Sequence, residues 1–274
     1  MQLKTTKIEW CTHTWNPVSG CYHGCEYCYA RRMTARFAPH GERFVNPQVM
    51  KTEACGADGT KERYILEDIP ILEDPTGKRR KSHWPMGFAP TFHTYTMQLP
   101  EKMEKPCRIF VSSMGDLFGE WVPDEWISAV FDACIEAPQH VYYFLTKNPQ
   151  RYVQLAENGG LPERNNFWYG SSTTTMDAPL FHSERHNTFV SVEPILEPFR
   201  GGNVAATSAQ QDWIIIGAET GQRKGKVVPE RSWLEQLVDT DTPVFMKDSL
   251  KPIWGEDLLR QYPKHMMNVG ADHG

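Results

Sequence analysis

The amino-acid sequence predicts an α/β fold, a partial (β/α)6-type TIM-like barrel with a β-rich insertion. Three observations lead to it. From residue 107 onward, short β-branched and aromatic runs alternate with amphipathic helical stretches, the pattern of βαβ units on a parallel sheet. Each run ends in a polar stretch, and barrels carry their active sites at those C-terminal strand ends. A length of 274 residues suits one domain of that architecture.

Taken in order, one strand is expected before a cysteine-rich loop at 21–28. Arg108-Ile109-Phe110-Val111-Ser112 reads as a buried strand. A helix follows over 123–137, with Pro123 in its first turn and Trp126, Ile127, Val130, Phe131 and Cys134 on one face. Val141-Tyr142-Tyr143-Phe144-Leu145 is the next strand, and Asn148-Pro149 caps and opens another helix. Strands are expected at 167–171, 188–192, 213–217 and 243–246, with a helix near 230–239. That makes about six or seven units in a single domain spanning 1–274, with a C-terminal extension from about 248.

An insertion between about 38 and 95 interrupts the pattern. Its runs Arg63-Tyr64-Ile65-Leu66 and Ile69-Pro70-Ile71-Leu72 suggest a hairpin or lid, with Pro70 favouring an edge position. A lid would keep water out of a reactive site, and His93 and Tyr95 are placed beneath it as substrate contacts.

Composition narrows the function. The net charge of -5 argues against a protein that holds nucleic acid by bulk positive charge, so a polyanion would need a local patch. No stretch is long and apolar enough to span a membrane. The first seven residues, Met1-Gln2-Leu3-Lys4-Thr5-Thr6-Lys7, lack the apolar core of a secretory signal, and an odd count of 7 cysteines suits a reducing, cytoplasmic setting.

Three of those cysteines crowd into Gly20-Cys21-Tyr22-His23-Gly24-Cys25-Glu26-Tyr27-Cys28, a C-x3-C-x2-C spacing that chance would produce about 0.004 times in such a chain. Thiolates select zinc, copper(I) or iron–sulfur clusters. A structural zinc needs a fourth ligand, for which His13, His23 or Cys11 could serve. Three cysteines without a second pair downstream instead suit a [4Fe–4S] cluster with one open iron.

This spacing, with an aromatic residue before the third cysteine, resembles the radical S-adenosylmethionine (SAM) superfamily. The likeness is nearest to its spore photoproduct lyase-like branch and to uncharacterised phage-encoded radical SAM proteins. It is carried by Trp15-Asn16-Pro17, Cys28-Tyr29-Ala30, Ser112-Ser113-Met114-Gly115-Asp116-Leu117-Phe118, Leu145-Thr146-Lys147 and Ile216-Gly217-Ala218-Glu219-Thr220-Gly221.

The resemblance implies that Cys21, Cys25 and Cys28 hold the cluster and that SAM chelates the open iron. It places Tyr27 near the adenine and Ser112, Ser113 and Asp116 at the methionine amino group. Lys147, with Ser171 or Ser172, falls at the SAM carboxylate, and Glu193 and Glu219 face the ribose, adenine or substrate. An external electron donor such as flavodoxin or ferredoxin is implied as well. The chain departs from true photoproduct lyases in having no cysteine in Val111-Ser112-Ser113-Met114 to return a hydrogen atom.

The substrate expected is a nucleic-acid base, DNA above all, or a nucleotide. The basic runs Lys78-Arg79-Arg80-Lys81 and Arg223-Lys224-Gly225-Lys226 supply phosphate contacts, with Arg223, Lys224 and Lys226 on the rim of the site. A phage enzyme rearranging an already modified pyrimidine, in the host cytoplasm, fits the missing cysteine. A DNA photolesion repair lyase and a zinc-stabilised nucleic-acid-binding protein are the alternatives.

Overall fold

In the computed structural model the described residues are 3–55, 59–175, 177–199, 210–264 and 266. In chain order the first elements are β1 (Lys4–Thr5), β2 (His13–Trp15), β3 (Val18–Ser19), α1 (Tyr29–Phe37), β4 (Arg43–Phe44), β5 (Met50–Cys55), β6 (Lys61–Leu66), β7 (Ile71–Glu73), β8 (Arg79–Lys81) and β9 (Thr91–His93). There follow β10 (Arg108–Val111), α2 (Asp124–Ile135), β11 (Val141–Thr146), α3 (Gln150–Glu157), β12 (Phe167–Thr173), β13 (Asn187–Val192), β14 (Trp213–Ile216), α4 (Arg231–Val238), β15 (Val244–Met246) and α5 (Lys251–Trp254). The expected strands and helices from residue 107 onward are therefore present, shifted at their ends by a residue or two.

The main sheet has eight strands in the order β1-β2-β10-β11-β12-β13-β14-β15. From β2 to β15 each strand runs parallel to its neighbour and in chain order, so every crossover steps the same way. The β1–β2 pair is antiparallel at one edge.

Strand alternation divides the core into two layers. Along β11, Tyr142 and Phe144 pack with Ile127, Val130 and Phe131 of α2 and Tyr152 and Leu155 of α3. Val141 and Tyr143 face the other way, into a cluster with Trp10, Phe110, Trp168, Phe189 and Trp213. Trp10 shows how strongly the sheet curves. Its ring centroid lies 4.8 Å from Phe110 on β10 and 6.2 Å from Trp213 on β14. Four strand spacings of about 4.8 Å would hold those two rings ~19 Å apart in a flat sheet. The sheet is wrapped around this tryptophan.

The C-terminal extension closes the edge and the floor. Residues 259–261 run antiparallel along β15, with Met246 N–H donating to Leu259 O at 2.8 Å and Gln261 N–H to Val244 O at 3.0 Å. A bare edge strand is thereby covered. Tyr262 packs on Trp213 with ring centroids 5.3 Å apart, and Tyr143 donates to Met266 Sδ at 3.0 Å.

The insertion forms two small sheets, β3-β9-β6-β5 and β4-β7-β8. Pro70, expected at an edge, instead precedes β7, which is the central strand of its sheet. Proline costs nothing there because its missing N–H lies outside the ladder. Two members of the first basic run are taken up internally, as Arg79, together with Arg43, grips Glu73 and Arg80 grips Glu42. Gly20 joins insertion and sheet at φ 85, where a Cβ would lie 2.2 Å from Ala89 O, so no larger residue fits. No described helix is long and apolar enough to cross a membrane.

Because Trp10 fills the curve of the sheet at 2% exposure, Trp10→Ala is expected to cost about 3–5 kcal/mol in denaturant unfolding. Val228→Ala, at a side chain 66% exposed, is expected to stay within about 0.5 kcal/mol of the parent. Equal effects would contradict the packing described.

Candidate functional site

The inward face of each strand continues, two residues at a time, past the aromatic floor into a polar layer. Tyr143 leads through Leu145 to Lys147, Trp168 through Gly170 to Ser172, Phe189 through Ser191 to Glu193, and Phe245 to Lys247. On β14 the same step reaches Gly217, where a Cβ would sit 3.0 Å from Lys247 Cδ and 3.2 Å from Glu193 Oε1. The missing side chain leaves room for the Glu193–Lys247 ion pair.

These residues line a cavity of about 260 Å³, near the lower end of small-molecule sites. Cys21, Cys25, Tyr27, Cys28 and Tyr29 form its opposite wall, and Ser113, Asp116, Glu219 and Thr220 also face it. Polar ends of β10, β11, β12, β13 and β14 thus meet the cysteine loop in one place.

The loop is pinned along its length. Gly20 N–H donates to Met114 O at 2.9 Å and Cys21 N–H to Phe88 O at 3.0 Å. His23 Nε2 lies 2.8 Å from Asp116 Oδ2. Cys28 caps α1, its Sγ accepting from Arg31 N–H at 3.4 Å. Asn16 of the Trp-Asn-Pro stretch accepts from Ser113 Oγ at 3.1 Å and Met114 N–H at 2.8 Å, which fixes the turn after β10.

Asp116 is already heavily engaged, mostly through one oxygen. Oδ2 accepts from His23, from Thr146 Oγ1 at 3.0 Å and from Lys147 N–H at 3.0 Å, while Oδ1 accepts from Phe118 N–H at 3.0 Å. A carboxylate has about four acceptor positions. The remaining acceptor capacity lies on Oδ1, which takes a single donor.

Lys147 is placed differently. Its Nζ reaches Ser172 Oγ at 3.0 Å and lies 5.4 Å from the centre of the Tyr27 ring. Among the described residues no carboxylate is in ion-pair contact with it, whereas Lys247 and Arg223 are both paired. Tyr27 stands between Lys147 and Cys25, and burial raises the pKa of its phenol.

The three thiols are half-buried and share the cavity wall without converging. Among the described residues, no three His, Cys, Asp or Glu side chains are gathered as a metal site. Burial first, then the Asp116 carboxylate, pushes the Cys21 thiol up to about 12, so it is protonated in this arrangement. A soft cation would reverse that by deprotonating the thiol. By donor chemistry alone, three thiols on one short loop with backbone N–H groups directed at Cys21 and Cys28 Sγ are the soft ligands that metal clusters take. Of the three suggested fourth ligands only His23 lines the cavity; His13 pairs within β2 and Cys11 is buried in the aromatic core.

The profile of a family described as a protein of unknown function (DUF5131) matches residues 5–256. The chain belongs to the DUF5131 family. No curated protein and no solved structure matches it. The match runs through the cysteine loop, all eight strands of the main sheet bar the start of β1, and the insertion.

Several expected site residues of this DUF5131 member lie elsewhere. Ser171 is on the outward face of β12, where its Oγ accepts from Phe181 N–H at 2.9 Å, so Ser172 is the serine at the cavity. Ser112 is buried with φ 58 and its hydroxyl has no hydrogen-bond partner among the described residues, and it does not line the cavity. His93 lies within the insertion sheet, bonded to Ser19 Oγ at 2.8 Å and Tyr95 OH at 3.2 Å, and neither His93 nor Tyr95 lines the cavity. Arg223 is committed to Glu219, with Nε–Oε1 at 2.7 Å and Nη2–Oε2 at 2.8 Å, and it lowers the Glu219 pKa by those hydrogen bonds. It reaches Glu26 at 3.6 Å as well, while Lys224 and Lys226 are exposed on the same loop. Residues the sequence reading missed include Trp10, Tyr29, Ser191 and Lys247; the period-2 pattern followed along β13 from Phe189, and one step beyond β15 from Phe245, would have found the last two.

Burial depresses His93 to about 3, whereas it titrates near 6.5 when unfolded. Between those values the unfolded chain binds the extra proton, so stability is present above pH ~6.5 and is lost toward pH ~3 by about 1.4 kcal/mol per pH unit. Urea unfolding across that window is expected to show this loss, and His93→Gln to remove about one proton of uptake from it. An unchanged slope in the variant would contradict the assignment.

Proposed function

We propose that this chain is a radical SAM enzyme on a partial TIM-like barrel, with Cys21, Cys25 and Cys28 as ligands of a [4Fe–4S] cluster. The observation that supports it most is one cavity shared by the three thiols and Lys147, a cation that no described carboxylate neutralises. Cys21, Cys25 and Cys28 would hold the cluster, which when bound would supply the one-electron reduction that cleaves SAM to methionine and a 5′-deoxyadenosyl radical able to abstract hydrogen from an unactivated C–H bond.

The protein's own residues bind and orient. Lys147 and Ser172 hold the carboxylate of the methionine moiety by a charge-assisted contact and a hydroxyl bond. Tyr27, which stacks under Lys147, faces the adenine. Ser113 reaches the ammonium group, while Asp116 positions the loop and the Lys147 backbone. Glu193 and Lys247 cancel each other's charge beside the reacting centre, and Phe88 from the insertion helps exclude water.

The substrate we infer is a nucleic-acid base, most directly an already modified pyrimidine of phage DNA that is rearranged; the hydrogen would be returned from 5′-deoxyadenosine, and the radical so re-formed would rejoin methionine as SAM with its electron going back to the cluster. A base buried in a duplex would first have to be flipped out. A flavodoxin or ferredoxin serves as reductant.

Anaerobic purification is expected to give about four irons and four sulfides per chain, and reductant plus SAM to yield 5′-deoxyadenosine. Replacing any of Cys21, Cys25 or Cys28 with alanine should abolish both. Lys147→Ala should retain the iron and raise the KM for SAM by about tenfold or more. Stoichiometric zinc without iron after reconstitution, with His23 as fourth ligand, would overturn the reading in favour of a zinc-stapled binding protein.

A further inference from the structure

Helix α1 leaves the cysteine loop at Cys28 and carries an unusual surface. Among the described residues the exposed large hydrophobic side chains are Tyr29 at 46%, Met33 at 40%, Phe37 at 49% and Val228 at 66%. The first three are spaced four residues apart and form one row along α1. Arg32 and Arg36 form the adjacent row, and Ala30 and Thr34 are the row turned into the protein.

The arginines are unengaged by acid. Arg31, Arg32 and Arg36 are exposed, and no ion pair to any of them occurs among the described residues. This stands out in a chain of net charge -5 whose other basic run, on β8, is gripped by Glu42 and Glu73. The row also borders the cavity. Arg31 lies 5.5 Å from the centre of the Phe88 ring, and Phe88 lines the cavity on one side. Arg32 Nη2 would be 3.4 Å from a Cβ on Gly221, which follows the cavity residue Thr220 on the other side. The exposed Lys224 and Lys226 continue that loop. Phe37, at the far end of the helix, pairs with Trp84 of the insertion, with ring centroids 5.6 Å apart.

We propose that α1 is a docking track for single-stranded nucleic acid, with Arg31, Arg32 and Arg36 on phosphates and Phe37 with Trp84 as a stacking platform for bases. Guanidinium groups beside exposed rings are the pairing that holds backbone charge and base faces together. An acidic protein would satisfy the arginines but leave the rings without a stacking partner. The track delivers a strand to the mouth of the cavity between Phe88 and Gly221, and in this it rests on the reading of a nucleic-acid base as substrate.

The test is fluorescence anisotropy of a labelled oligothymidylate with the full chain, repeated over a range of salt. Binding is expected to weaken with salt, and the Arg32→Ala/Arg36→Ala variant to flatten the slope of log K against log salt by about 1.4, at ~0.7 per phosphate contact. Phe37→Ala should weaken binding by about tenfold without changing that slope. Thermal unfolding verifies that each variant is folded. Parent-like binding by both folded variants would overturn the proposal. So would tighter binding of a duplex of the same length, equal affinity for polyphosphate, or binding of an acidic flavodoxin with none of the oligonucleotide. Iron content and SAM cleavage without nucleic acid are measured separately on the same proteins. If they fail while the track binds, the cluster reading falls and the surface stands; if they succeed without oligonucleotide binding, the surface alone falls.

Discussion

The Asp116 carboxylate is 4% exposed and accepts from His23, Thr146, Lys147 and Phe118, donors drawn from the cysteine loop, the end of β11 and its own turn. Each hydrogen bond to a buried charge is worth about 1.5–3 kcal/mol, and leaving such a charge unpaired costs more than any single bond returns. The position of the loop against the sheet therefore depends on this one group. Through His23 it sets where the three thiols stand, and through the Lys147 backbone it sets where the ammonium begins. A loop that must face a cavity without a disulfide, among seven free cysteines, gains its order from this carboxylate and from the backbone bonds to Met114 and Phe88.

Among the described residues Glu193 with Lys247 and Glu219 with Arg223 are closed pairs, whereas no carboxylate pairs with Lys147, whose ammonium meets the Ser172 hydroxyl and Tyr27. A half-buried lysine answered by neutral groups attracts an anionic ligand more strongly than one already paired, because the ligand does not have to displace a carboxylate. The aromatic floor beneath, centred on Trp10, keeps that end of the cavity dry and strengthens each polar contact above it. Around the mouth the sign changes to positive along α1, in a protein that is acidic as a whole.

Much of this was legible in the sequence because it follows from periodicity and spacing. Alternating apolar runs placed β10 to β15, and the cysteine spacing singled out the loop. Strand parity was the weak point. Ser171 and Ser172 are indistinguishable as neighbours in the sequence, yet Trp168 on the inward face sends Ser172 into the cavity and Ser171 out toward Phe181. Basic runs also misled. Arg223 reads as a phosphate ligand, but Glu219 four residues earlier captures it, and Arg79 and Arg80 are likewise taken by Glu73 and Glu42. His93 looked like a cavity residue because the insertion looked like a lid; β9 instead pairs with β3 and β6 and buries it in a small sheet of its own. Contacts between segments distant in the chain, such as Trp10 with Trp213, leave no local pattern to read.

If the three thiols and Lys147 form a single site for a cluster and for SAM, electron paramagnetic resonance of the reduced protein, recorded with and without SAM, will report it. The expected signal is that of a one-electron-reduced [4Fe–4S] cluster that changes on adding SAM, with the change demanding a higher SAM concentration in Lys147→Ala. A protein that carries zinc and gives no such signal, or a cluster whose signal is indifferent to SAM, would contradict it.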